Sequence, residues 1–190
     1  MKTTSIMIVG VGGQGTLLAS RLIGYVLIQK GYDVKLSEVH GMSQRGGSVV
    51  TYVKYGEKVY SPIVDAGEAD FILSFEAVEG ARWLSRLKKD GVIITNTQEI
   101  YPMPVITGAM AYPENATEKL SKLANTVQID ALALAEQAGS SKAVNTVLMG
   151  VLSRYMTEID EDMWLEAIEK TVKPAFVELN KKAFLMGRNA

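Results

Sequence analysis

Two short stretches of this chain hold most of the residues that could do chemistry. The first is Gly10-Val-Gly-Gly-Gln-Gly15. Gly10, Gly12 and Gly15 follow the spacing G-x-G-x-x-G, which between a strand and a helix is read as a phosphate or dinucleotide loop. Glycines let the backbone turn sharply there and leave amide N–H groups bare. At the start of a helix those groups favour an anion. Gly13 belongs to the same turn. Gln14 could bond a ligand or cap the helix, and the sequence leaves both open. No lysine follows the loop, so it is not a Walker-type phosphate loop.

The second stretch is Glu38-Val-His-Gly-Met-Ser-Gln-Arg-Gly-Gly47, which carries the single histidine. Glu38 is either a ribose-binding acid of the dinucleotide type or a solvated strand end. His40, Ser43, Gln44 and Arg45 share one loop. Loops at the carboxyl ends of parallel strands line the ligand crevice, so this loop is expected beside the glycine loop. Arg45 could clamp a phosphate or carboxylate. Ser43 and Gln44 are candidate binding residues, and His40 is the one candidate for proton transfer near neutral pH. No G-x-S-x-G elbow or H-E-x-x-H pair occurs. A protein-only hydrolytic or redox centre is hard to build from one histidine and no cysteine.

The elements that must position these loops follow from periodicity. The run from Ile6 to Val9 reads as a buried strand, and 16–30 as a helix with an apolar stripe, stopped by Gly31. Residues 34–39 form a second strand, giving a β-α-β unit with parallel strands. Strand follows at 48–55, with a turn at Gly56-Glu57 and a returning strand at 58–60. Further strands are predicted at 70–74, 91–96, Val105-Ile106 and 126–130. Helices are predicted at 76–87, with Glu79 and Arg82 on its surface, and from Asn115 to Leu123. There Asn115 and Glu118 match a capping box. From Ala131 the pattern is helical: 131–138 stopped by Gly139, 143–155, a helix capped by Asp160, and another begun at Pro174. Trp83 and Trp164 sit on amphipathic helices and read as core. No repeat or linker interrupts the chain, so 1–190 is expected to be one domain with a mixed sheet.

Composition narrows the function. The chain has 190 residues, 20 basic and 21 acidic, and a net charge of -1, so no strong field favours nucleic acid or an anionic membrane. There is no cysteine, hence no disulfide and no thiolate-held zinc or iron–sulfur cluster within the chain. No apolar run nears the roughly 20 residues that span a bilayer, and no signal peptide is read before the first strand. A soluble, cytoplasmic protein is expected.

Together the two stretches, with Ser61-Pro62, Ala69-Asp70, Phe75-Glu76, Asn145 and Gly150, resemble the gamma-type domain of 2-oxoacid:ferredoxin oxidoreductases. The run His40-Gly-Met-Ser-Gln-Arg-Gly-Gly47 carries most of that likeness. Within the family the chain is most similar to the small subunits of the indolepyruvate type. The resemblance implies an α/β fold of three layers, with a Rossmann-like mixed sheet and a helical C-terminal region. It implies a subunit, inactive alone, of an enzyme that oxidatively decarboxylates an aryl 2-oxoacid to an acyl-CoA and passes electrons to ferredoxin. Thiamine diphosphate and iron–sulfur clusters are then expected in a large partner subunit, in a hetero-oligomer, and coenzyme A is the cofactor this chain could touch. The isolated chain could also form a homodimer through the surface meant for its partner. Two other readings stay open on the residues alone. One is a stand-alone NAD(P)- or flavin-binding oxidoreductase, and the other a non-catalytic binding module.

Overall fold

The computed structural model describes residues 3–40 and 46–190. Its centre is β1 (Thr3–Val11), whose residues 5–11 are all buried. Alternate side chains enter two different cores. Ile6 and Ile8 pack with Leu22, Ile23, Val147 and Trp164, whereas Met7 and Val9 pack with Ile72, Ile93 and Leu120. A strand covered on both faces reads as a continuous apolar run, which is how this one is written.

Six strands form one sheet in the order β2-β3-β1-β4-β5-β6. They are β1, β2 (Asp33–His40), β3 (Ser48–Gly56), β4 (Ala69–Ser74), β5 (Leu87–Asn96) and β6 (Asn125–Ile129). β4 runs parallel to β1, β5 to β4 and β6 to β5, while β3 is antiparallel to both of its neighbours. The mixed, three-layered α/β fold is therefore present. One face carries α1 (Thr16–Gln29), α5 (Ala131–Ala138), α6 (Val144–Ser153), α7 (Glu161–Thr171) and α8 (Val177–Arg188). The other carries α2 (Ala77–Trp83) and α4 (Ala116–Leu123), and a single helical turn, α3 (Met103–Ile106), lies between β5 and α4. Trp164 is fully buried against Phe184, with ring centroids 5.9 Å apart. Trp83 is half-buried against Tyr52.

Several sequence expectations need correction. β1 and β2 point the same way but are not neighbours, because β3 lies between them. The hairpin is β2–β3, not 48–60. β3 already has a partner on each edge, so Lys58–Tyr60 has no ladder to join. Val59 is instead buried, its N–H donating to Asp33 Oδ2 at 2.9 Å. Val105-Ile106 is helical, since Pro102 and Pro104 preset the first turn that leads into it. The helix from Glu76 gives way at Leu84, and Leu87 already belongs to β5. α4 begins where predicted, but Asn115 is left-handed (φ 54°) and its side chain makes no cap. Asp160 stands at the N-cap of α7 without a capping bond.

Candidate functional site

The glycine loop is welded to the sheet. Gly12 N–H donates to Gly47 O at 2.8 Å, and Gly46 N–H to Gly12 O at 3.3 Å. This carries the β1–β3 ladder one residue past the strand. Gln14 folds back over the turn. Its Oε1 accepts from Val11 N–H at 2.7 Å, and its Nε2 donates to Phe75 O at 3.0 Å, just beyond the end of β4. The same carbonyl accepts from Asn96 Nδ2 at 3.4 Å, and Asn96 Oδ1 accepts from Ala131 N–H at 3.1 Å. Two side-chain amides thus tie the ends of β1, β4 and β5 to the start of α5. Gln14 does not cap α1; its side chain holds the loop in shape.

The loop glycines divide by what faces them. A Cβ on Gly10 would meet Gln14 Oε1 at 2.8 Å and Phe75 Cβ at 2.9 Å. One on Gly15 would meet Asn145 Nδ2 at 2.6 Å, and Gly15 is left-handed (φ 87°). Gly13 is also left-handed (φ 102°), but it is exposed and nothing lies within 4 Å of its missing Cβ. Gly15 is the N-cap of α1, where no side chain caps and no acid occupies the first turn. The first helical amides have no partner within a helix. Among the described residues no side chain compensates the positive end of this 14-residue helix, which stands beside an open glycine, an arrangement suited to a phosphate. Gly15→Ala is expected to destabilise the fold by about 2 kcal/mol, from a strained φ and displacement of Asn145. Thermal unfolding checks it, and a variant within about 0.5 kcal/mol of wild type would show that the turn relaxes freely.

The second loop joins the first through Gly46 and Gly47. The candidates Ser43, Gln44 and Arg45 lie outside the described residues. His40 ends β2 and is exposed. His40 and Gly10 share the partner Val49 from opposite sides of β3, so about 10 Å of sheet separates them. Glu38 sits within β2 rather than at its end, and it accepts from the Thr51 hydroxyl at 3.2 Å. With β3 interposed, Glu38 is not in the strand next to the glycine loop, where a dinucleotide fold places its ribose acid.

Sequence reasoning missed an acidic pair at this edge. Glu76 is 2% exposed and caps α2, its Oε2 accepting from Glu79 N–H at 2.9 Å. Its other oxygen accepts from the Tyr112 hydroxyl. Burial pushes the Glu76 carboxyl above its ordinary pKa. Glu79 is buried rather than superficial. It accepts from Ser48 Oγ and pairs with Arg82 Nε at 3.4 Å. The signal was the spacing Glu76-x-x-Glu79, a capping pattern at a strand end. Between this pair and the segment 100–113 lies a cavity of about 250 Å³, reaching Val11 and Gly46. Among the described residues no group of three His, Asp or Glu is placed to hold a metal ion.

A family model described as pyruvate ferredoxin/flavodoxin oxidoreductase matches residues 5–190. Over 197 aligned positions the chain is 41% identical to the indolepyruvate oxidoreductase subunit IorB of Thermococcus kodakarensis, covering 100% of this chain and 96% of that one. Its fold is similar to that of the pyruvate oxidoreductase subunit PORC of Thermotoga maritima, with a TM-score of 0.78, 20% identity, and coverage of 100% and 97%. It is also similar to part of the 2-oxoglutarate:ferredoxin oxidoreductase of Magnetococcus marinus, solved with 2-oxoglutarate, coenzyme A and succinyl-CoA bound. There the TM-score is 0.75 at 17% identity, over 100% of this chain and 31% of that one.

Proposed function

Because this chain belongs to the pyruvate ferredoxin/flavodoxin oxidoreductase family, we propose that it is the small subunit of a cytoplasmic 2-oxoacid:ferredoxin oxidoreductase acting on an aryl 2-oxoacid of the indolepyruvate type. The observation that carries this reading is the 41% identity to an indolepyruvate oxidoreductase subunit along essentially the full length of both chains. The reaction joins the acyl group to coenzyme A, releases carbon dioxide and delivers electrons to ferredoxin.

The donor set of this chain supports a division of labour. Thiolate-held clusters need cysteines, and the chain has none. Iron–sulfur clusters and thiamine diphosphate are assigned to a large partner subunit, where they supply electron transfer and the electron sink for decarboxylation. This chain contributes an anion site. Gly12, Gly13 and Gly15 shape the turn, Gln14 and Gly10 fix it to the sheet, and the first turn of α1 faces a phosphate of coenzyme A. Ser43, Gln44 and Arg45 are assigned to the same site, because Gly46, the residue after Arg45, meets Gly12. His40, exposed at the end of β2, is assigned to face the active site of the large subunit.

The test uses the assembled enzyme. Arg45→Ala is expected to raise the KM for coenzyme A by about 10-fold or more, the loss of one charge-assisted hydrogen bond, while the KM for the 2-oxoacid holds. Retention of coenzyme A on the complex in equilibrium dialysis should fall in parallel. Unchanged coenzyme A dependence would remove Arg45 from the site. A stand-alone nicotinamide or flavin enzyme is the competing reading, and saturable binding of either cofactor by the isolated chain would favour it.

A further inference from the structure

We propose that the segment 100–113, which crosses the carboxyl edge of the sheet between β5 and α4, is the docking surface for the large subunit, with the cavity beneath it taking one anchoring side chain from that partner. The inference rests on the reading of this chain as a small subunit.

Apolar exposure is concentrated there. Among the described residues twelve large apolar side chains stand exposed, and four of them, Tyr101, Met103, Ile106 and Met110, fall within ten consecutive positions. Met103, Ile106 and Met110 are each 64% exposed. The others are scattered over α1, β2, the 60–63 segment, α4 and the approach to α8. Clustered apolar surface of this kind marks an interaction site, and methionines suit one that must adapt its packing.

The segment is also pre-shaped. α3 closes on Pro102, Met110 N–H donates to Pro104 O at 3.0 Å, and Gly108 turns left-handed (φ 75°). The Tyr101 and Tyr112 rings lie 5.0 Å apart, and Tyr112 bonds the buried Glu76. A surface fixed in advance loses little entropy when a partner covers it. The cavity beneath, walled by Val78, Ile100, Pro104 and Val105, measures about 250 Å³. That falls below the roughly 300–1,000 Å³ of small-molecule sites and suits a single buried anchor of the kind that dominates protein interfaces.

The occupant follows from how this fold occurs. In the Magnetococcus enzyme the same fold makes up 31% of one continuous polypeptide, so the remainder of that chain is available to cover it. On the small-subunit reading, the large subunit takes that role here. Val11 and Gly46 line the cavity, so a partner seated on 100–113 also covers the approach to the glycine loop. The anion site is then closed at a joint between two chains.

The experiment measures affinity between this chain and the thiamine diphosphate- and iron–sulfur-bearing large subunit of the same organism, purified anaerobically. The double variant Met103→Asp/Ile106→Asp is the probe. Both side chains are exposed, so its melting temperature should match wild type. The expected result is about a 100-fold weaker Kd, as for two interface anchors. Ferredoxin reduction should be lost at dilute subunit concentration and regained when the small subunit is supplied in excess. Leu123→Asp on α4, at a side chain more exposed than either, should change neither. Wild-type affinity in the double variant overturns the proposal. So does a variant that loses only self-association while binding the large subunit normally. Failure of the wild-type chain itself to bind the large subunit overturns the subunit reading on which the proposal rests.

Discussion

Gly150→Ala is expected to cost about 3 kcal/mol of stability, at the top of the range for forcing extra atoms into a packed core. α6 is buried along its whole length, from Val144 to Ser153. It crosses α8 with almost nothing between the two backbones. A Cβ on Gly150 would stand 2.0 Å from Phe184 O and 2.7 Å from Arg188 N. The contact is reciprocal, because a Cβ on Gly187 would stand 2.0 Å from Val147 O. The obstructing atoms are backbone, so no rotamer change can clear them. Hydrogen bonds fix the crossing on both sides. Thr146 Oγ1 donates to Asn180 Oδ1 at 2.6 Å, and Arg188 Nη1 donates to Ser153 Oγ at 2.7 Å. The helices would have to move apart together. Urea unfolding of the variant checks this, and a change below about 0.5 kcal/mol would refute the close crossing.

Glu76→Ala should destabilise by about 2–3 kcal/mol, because the Glu79 N–H and the Tyr112 hydroxyl lose their shared acceptor and α2 loses its cap. The conservative variant Glu76→Gln separates packing from charge. Burial raises the Glu76 pKa above its ordinary value of 4.5, so the native state holds the proton more tightly than the unfolded chain. Stability from this group is therefore greatest below pH 4.5 and falls as pH rises through the raised native value, the reverse of a salt-bridged carboxylate. Glu76→Gln cannot titrate. The stability gap between wild type and Glu76→Gln should shrink, or change sign in favour of the glutamine, from pH 4 to pH 7. Denaturant melts at both pH values measure it. A constant gap would mean that Glu76 titrates normally.

The sequence was most legible where local chemistry alone decides the structure. α5 runs from Ala131 to Ala138 as predicted, because Asp130 caps it and Gly139 ends it. Pro174 opens the last helical segment for an equally local reason. The errors arose where partners far along the chain decide. Residues 58–60 have strand-like alternation, yet β3 had no edge left for them once it had paired with both β1 and β2. Glu79 and Arg82 looked like a solvated pair, since nothing nearby in sequence shows that Ser48 comes to lie against Glu79. The glycine loop was read correctly as a strand-to-helix turn. Gln14 was less legible, because its second partner, Phe75 O, is 61 residues away.

The insertion of β3 has a consequence for how the molecule breathes. β2 is attached to the sheet by one ladder, through β3, and no other described strand lies beyond it. Its first residue is pinned, since Asp33 accepts from Val59 N–H and lies 3.8 Å from Lys58 Nζ. Exposure increases toward His40. Strands with few buried contacts open at a fraction of the global free energy. β2 is therefore expected to open before β3 and β1, which share nine register pairs. Slow-exchanging amides should end at β3, and β2 should exchange first at the end that carries His40.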